Sequence, residues 1–231
     1  MHTGKKSVIS ALIVLAFLPG RALFAADKLQ TVLQQLDVAA ANFHSTTADF
    51  EFDSIQTDPI PEKDIQNGVV YYERKGSAFQ MGVHIREFNG KVVPKVLIVS
   101  RGVTKLYEKL LNQVTTFSKA AKYEDYMELG FGASGKELAD KWHIKYMGSE
   151  EVDGVKTEKL ELVAKDPAVL KMLPKVDVWV DTARGVSLKQ VFDEGGGQSR
   201  ICHYYNIKTN QPLPADAFTF KTDPKTQLIQ R

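Results

Sequence analysis

The residues of this chain whose types and spacing could do chemistry begin with three glycines. Gly130, Gly132 and Gly135, in the stretch "LGFGASGKEL", spell G-x-G-x-x-G, the fingerprint of a loop that cradles a dinucleotide pyrophosphate. That chemistry needs a buried strand before the loop, a helix after it and an acidic residue about 20 positions further on. The preceding residues, "AAKYEDYMEL", instead mix Ala120, Ala121, Tyr123, Met127 and Leu129 with charges at helical spacing. The following residues, "KELADKWHIKYMG", read as a short helix running into a strand. The context is helix, glycine loop, helix, and the glycines read as a flexible hinge rather than a nucleotide cradle.

The other reactive side chains form weaker constellations. His44, His84, His143 and His203 are scattered, without H-x-x-x-H or H-E-x-x-H spacing and without a cysteine partner, so no metal site is expected. No G-x-S-x-G elbow occurs, and Ser134 in "GASG" lacks one. Cys202 is the one cysteine; flanked by Ile201 and His203 in a strand pattern, it reads as a buried, inert thiol. The carboxylates of "YEDYMEL" and "GSEEVDG" read as solvated helix and turn faces. Nothing in these patterns argues for an enzyme or a cofactor. One charge is awkwardly placed. In "GVVYYERKG", Val70, Tyr72 and Arg74 share a strand face; if that face looks inward, the Arg74 guanidinium must find acceptors. If the strand ends there, Arg74 simply points to water.

These residues must be positioned by the rest of the chain. "MHTGKK" followed by the apolar "SVISALIVLAFLPG" and "RALFAA" reads as a secretory leader over residues 1–26, cut near Ala25 or Ala26. Loss of Lys5, Lys6 and Arg21 with it takes the 30 basic residues to 27 against 28 acidic ones, a net charge of −1, and leaves no basic field for nucleic acid. No cysteine follows the leader, so no lipidated N-terminus is expected, and a soluble exported monomer is the implied state. Residues 27–231 are enough for one domain with a sizeable core. "KLQTVLQQLDVAAANF" sets Leu29, Val32, Leu33, Leu36, Ala40 and Phe43 at helical spacing. Strand patterns follow, with Phe50 and Phe52 on one face and Phe79, Met81, Val83 and Ile85 on another. The architecture expected is a large antiparallel sheet, with a leading helix and a helical insert covering one face and either a core or a pocket beneath them.

The segments "QLDVAAANFHSTTADFEF", "GVVYYERKGSAF", "VSRGVTKLYEKLLNQVTTF", "VDVWVDTARGVSLKQVFD" and "DAFTFKTDPKTQLI", in that order, resemble the LolA-like family of periplasmic carriers of outer-membrane lipoproteins. The resemblance implies a mainly β (α+β) fold: an unclosed, strongly curved antiparallel barrel with an N-terminal helix and a helical lid over a hydrophobic cavity. "KYEDYMELGFGASGKELADKW" occupies the place of the lid, whose movement the glycines would allow. Arg74 matches the strand arginine that hydrogen-bonds to the lid in such carriers, although the usual following proline is Lys75 here and one extra residue precedes Phe79. The implied lipid-binding residues are Tyr72, Arg74, Phe79, Met81, Val83, Tyr126, Met127, Leu129 and Phe131. The implied role is that of a non-enzymatic periplasmic carrier of lipoprotein acyl chains, with an inner-membrane release complex and an outer-membrane receptor as partners and no cofactor. A binder of another lipid or amphiphile, a lipoprotein-sensing regulatory module of the same fold and an unrecognised hydrolase are the alternatives.

Overall fold

The computed structural model describes residues 20–76, 78–117 and 129–231. Helix α1 (Gly20–Ala41) is followed by β1 (Ser45–Gln56), β2 (Glu62–Lys75), β3 (Ala78–Phe88), β4 (Lys91–Ser100), β5 (Val103–Glu108) and β6 (Gln113–Phe117). A short helix α2 (Gly135–Lys141) then leads into β7 (Trp142–Val152) and β8 (Val155–Ala164), and helix α3 (Pro167–Met172) into β9 (Lys175–Asp181). Strands β10 (Val186–Gly195), β11 (Gln198–Thr209) and β12 (Gln227–Gln230) complete the chain. All twelve strands form one sheet in the order β12-β6-β5-β4-β3-β2-β1-β11-β10-β9-β8-β7, antiparallel except where β12 adds parallel to β6. The sheet is curved and does not close. This is the mainly β architecture, an unclosed and curved antiparallel sheet with a leading helix, that the sequence implied.

The tight turns form where the sequence signals them: Asn89-Gly90, Arg101-Gly102 and Asp153-Gly154 all take positive φ. Bulges at Asn67/Gly68 in the β2–β3 pair and Ile85/Glu87 in the β3–β4 pair bend the sheet. The bend brings the backbones so close that a Cβ on Gly68 would lie 2.1 Å from the His84 carbonyl oxygen.

The concave face carries two apolar clusters. In the first, Val32 and Leu36 of α1 pack with Leu138 of α2 on Trp142, Leu160, Leu162, Val176 and Val178 of β7 to β9. The α1 stripe read from the sequence is therefore spent on one end of the sheet. The second cluster, centred on β1 to β4, β10 and β11, includes Phe50, Val70, Met81, Val99, Leu188 and Tyr204. Helix α3 is capped by Asp166 and carries Pro167 in its first turn. Among the described residues, no helix is long and apolar enough to cross a membrane.

The C-terminal segment straps the opposite face. Ala217 is buried over Gly82, Phe220 stacks on Tyr107 with ring centroids 5.0 Å apart, and β12 then pairs with β6. A Cβ at Gly82 would lie 1.9 Å from the Ala217 carbonyl oxygen, so this crossing requires glycine. Gly82→Ala is expected to lift the strap, costing about 1–3 kcal/mol of stability and exposing residues 214–230 to hydrogen exchange. Unchanged exchange in that segment would show that the crossing tolerates a side chain.

Candidate functional site

Between the second cluster and α3 lies a cavity of about 730 Å³. Strand alternation builds its walls in rows along the barrel, because residues paired across neighbouring strands share a face. Gln66 of β2, Phe52 of β1 and Cys202 of β11 form one row; Phe50 and Tyr204 form the next. Met81, Val83 and Ile85 of β3, with Leu97 of β4, make one flank, and Gln190 and Phe192 of β10 the other. Met172 at the end of α3 and Leu173, its C-cap, roof one end. The lining is predominantly apolar and aromatic, with a few polar groups, as small-molecule sites are.

The far end is closed by aromatic rings. Phe131 is fully buried, stacks on Tyr72 at 4.0 Å with an interplanar angle of 13°, and meets Tyr204 edge-on at 4.8 Å. Burial pushes the phenols of Tyr72 and Tyr204 upward, and pushes the Cys202 thiol up to about 12, so all three are neutral hydrogen-bonding groups in the cavity wall. Cys202 is thus a packed thiol and no nucleophile. The Tyr204 hydroxyl lies 3.4 Å from Oε1 of buried Gln190, whose amide donates to the Leu129 carbonyl at 2.5 Å.

Of the sequence-predicted site residues, Tyr72, Met81 and Val83 line the cavity. Phe79 lies beyond it, packed on Tyr72 at 5.8 Å, and Leu129 belongs to the α1 cluster. Phe131 plugs the end rather than lining a wall. Tyr126 and Met127 fall outside the described residues. Arg74 sits at the closed end too: its Nη1 lies 3.3 Å from Glu137 Oε1 of α2, tying β2 to the helical insert. The inward face therefore supplies an acceptor, as burying a guanidinium requires. Burial pushes the Glu137 carboxyl up, but the Ser134 backbone N–H, the Arg74 charge and the Ser134 hydroxyl outweigh it and hold its pKa below the ordinary carboxylate value. Sequence reasoning missed Leu97, Phe192 and Tyr204. Each sits at the alternate positions of its strand, so the period-2 signal was present, but which face looked inward was not.

The glycine loop answers to packing, which corrects the hinge reading. A Cβ on Gly132 would lie 2.3 Å from the Phe43 ring, one on Gly130 2.5 Å from the Ser187 Cβ, and one on Gly135 2.2 Å from the Leu33 carbonyl oxygen. Gly132 N–H donates to the Gly185 carbonyl, and Ser187 N–H to the Gly130 carbonyl, so the loop is bridged to β10 around Phe131. A pyrophosphate cannot enter where a methyl group does not fit. Among the described residues, no group of three or more histidine, cysteine or acidic side chains could hold a metal ion.

No family model matches the chain. An uncharacterized protein of Methanocaldococcus jannaschii is 30% identical over 135 residues, 58% of this chain. The chain spans 38% of that relative's length. Among solved structures, an uncharacterized conserved protein from Thermus thermophilus superposes with a TM-score of 0.55 at 12% identity, over 88% of this chain and 99% of that one. MucB superposes with a TM-score of 0.54 at 12% identity, over 88% of this chain and 66% of its own. At such identities the likeness is one of fold.

Three outcomes are expected. Gly132→Ala, at φ +69° against Phe43, should destabilise the protein by about 2 kcal/mol more than Gly154→Ala, whose φ is +75° but whose surroundings are open; equal urea midpoints would mean the loop has room. Arg74→Leu should cost about 0.2–1 kcal/mol, since Glu137 is half exposed. Because the folded pKa of Glu137 is depressed, its contribution is present above the unfolded value and lost as pH falls through the folded one. The stability difference between wild type and Glu137→Gln should therefore shrink below about pH 4. A difference independent of pH would remove the ion pair from the account.

Proposed function

We propose that this protein is an exported, non-enzymatic carrier that shelters the acyl chain of an amphiphile in the cavity, lipoprotein acyl chains being the cargo the sequence resemblance implies. The observation that carries the reading is the 730 Å³ apolar space under a curved sheet, left beside a helix that fills only the other end. Withdrawing an acyl chain from water is worth about 0.8 kcal/mol per CH₂, so a 16-carbon chain needs on the order of 12 kcal/mol of shelter. Phe50, Phe52, Val83, Ile85, Leu97 and Phe192 offer that shelter. Arg74 and Phe131 act in this reading at the closed end, holding the insert against the sheet, rather than by touching cargo.

The exported protein, examined by native mass spectrometry, should carry a co-purifying amphiphile. Val83→Glu places a charge in the cavity at a cost of several kcal/mol and should weaken binding of a palmitoylated peptide at least tenfold, while Val83→Leu should not. Absence of any co-purifying amphiphile together with equal binding by the Val83 variants would overturn the carrier reading.

A further inference from the structure

The cavity is polar at one end only. Its mouth, opposite the Phe131 plug, runs into a second pocket of about 190 Å³, and the two share Glu194, Gln198 and Arg200. The second pocket adds Ser54 and Gln56 of β1 with Glu62 and Asp64 of β2. Its floor follows from the pairing register. Asp64 pairs with Ser54 and Ser54 with Arg200, while Glu62 pairs with Gln56 and Gln56 with Gln198. Both rows have the parity of Phe50 and Phe52, so they continue the concave face of the cavity out to solvent.

The charges in this pocket are unevenly placed, with two carboxylates on one side and an arginine–glutamate pair on the other. Glu62 and Asp64 lie on β2; Arg200 lies two strands away, about 10 Å at ordinary strand spacing. Lys171 of α3 adds a second cation at the cavity mouth, and Arg200 is bonded to Glu194 at 3.0 Å. A purely anionic head would meet three carboxylates, and an uncharged head would leave Lys171 and the β2 acids without counter-charges. A head bearing one anion and one cation satisfies both sides, with hydroxyl and amide groups of Ser54, Gln56 and Gln198 between them.

We propose that this pocket is a headgroup subsite and that the cargo is a phospholipid-type amphiphile, bound tail-first, whose head carries a phosphate and an ammonium. The phosphate faces Arg200 and Lys171, and the ammonium faces Glu62 and Asp64. The assignment rests on the carrier reading above and names its substrate class.

The test compares four probes on the full chain by fluorescence displacement: palmitoyl lysophosphatidylethanolamine, palmitoyl lysophosphatidic acid, monopalmitoylglycerol and a diacylglyceryl peptide. Lysophosphatidylethanolamine should bind about tenfold more tightly than the other two palmitoyl probes. Arg200→Gln should erase its advantage over monopalmitoylglycerol, and Asp64→Asn its advantage over lysophosphatidic acid, with the urea midpoint of each variant as the control for folding. Equal affinity for the three palmitoyl heads, a preference untouched by either substitution, or tight binding of the diacylglyceryl peptide alone would overturn the headgroup assignment while leaving the cavity as an acyl site. Failure of every probe to bind would overturn the carrier reading itself.

Discussion

The aromatic contact between Phe131, Tyr72 and Tyr204 is the interaction on which the site depends. An unclosed sheet has an open trough along its strands, and a trough becomes a cavity only if something stops one end. Phe131 does so from a loop rather than from a strand, and it reaches its place only because the backbone around it can come very near its neighbours. Gly130 and Gly132 permit that approach against Ser187 and Phe43, and the two main-chain bonds to β10 fix it. An offset stack and an edge-on contact contribute about 0.5–1.5 kcal/mol each beyond burial, so the plug is held by more than shape.

The cavity persists because the apolar surface available to fill the trough is rationed. Helix α1 offers one stripe, and that stripe is committed to Leu160, Leu162, Val176 and Val178 on β8 and β9. Over β1 to β4, α3 and its C-cap supply only a short roof through Met172 and Leu173. Wall residues there are large, but Phe50 and Phe52 pack with the second cluster and Phe192 with the first, and the space between them stays open. Packed interiors leave few voids larger than a water molecule, so a space of this size reflects the shortage of apolar surface to fill the trough, and it has the apolar lining of a small-molecule site.

Much of this was legible in the sequence, and the limits have physical causes. Alternation placed Phe50 with Phe52 and Met81 with Val83 and Ile85 on common faces, since a strand has a period of two whatever its surroundings. The stripe of α1 was equally plain. Alternation does not say how sharply a sheet bends, however, and curvature decides that Phe79 falls outside the cavity that Met81 lines. The G-x-G-x-x-G stretch shows the same limit. Its context excluded a nucleotide cradle, but glycine serves both freedom and close approach, and only the positions of Phe43, Leu33 and Ser187 distinguish them. A six-residue helix such as α3 leaves almost no periodic signal, and with it went Lys171 and Met172.

Register joins these levels. Once β1 pairs with β2 and β11 as it does, reading along β1 reads the site from end to end: Gln56 and Ser54 with charged neighbours, then Phe52, then Phe50 beside Tyr204. A one-residue slip of β1 would turn Glu51, Asp53 and Ile55 inward, placing two carboxylates where the sheet now presents two phenylalanines. The cost of burying those charges makes the observed register the stable one, and that register sets polar residues at the mouth and aromatic ones at the plug. The preference that selects the fold and the gradient that would orient an amphiphile are thus one property of the same strand.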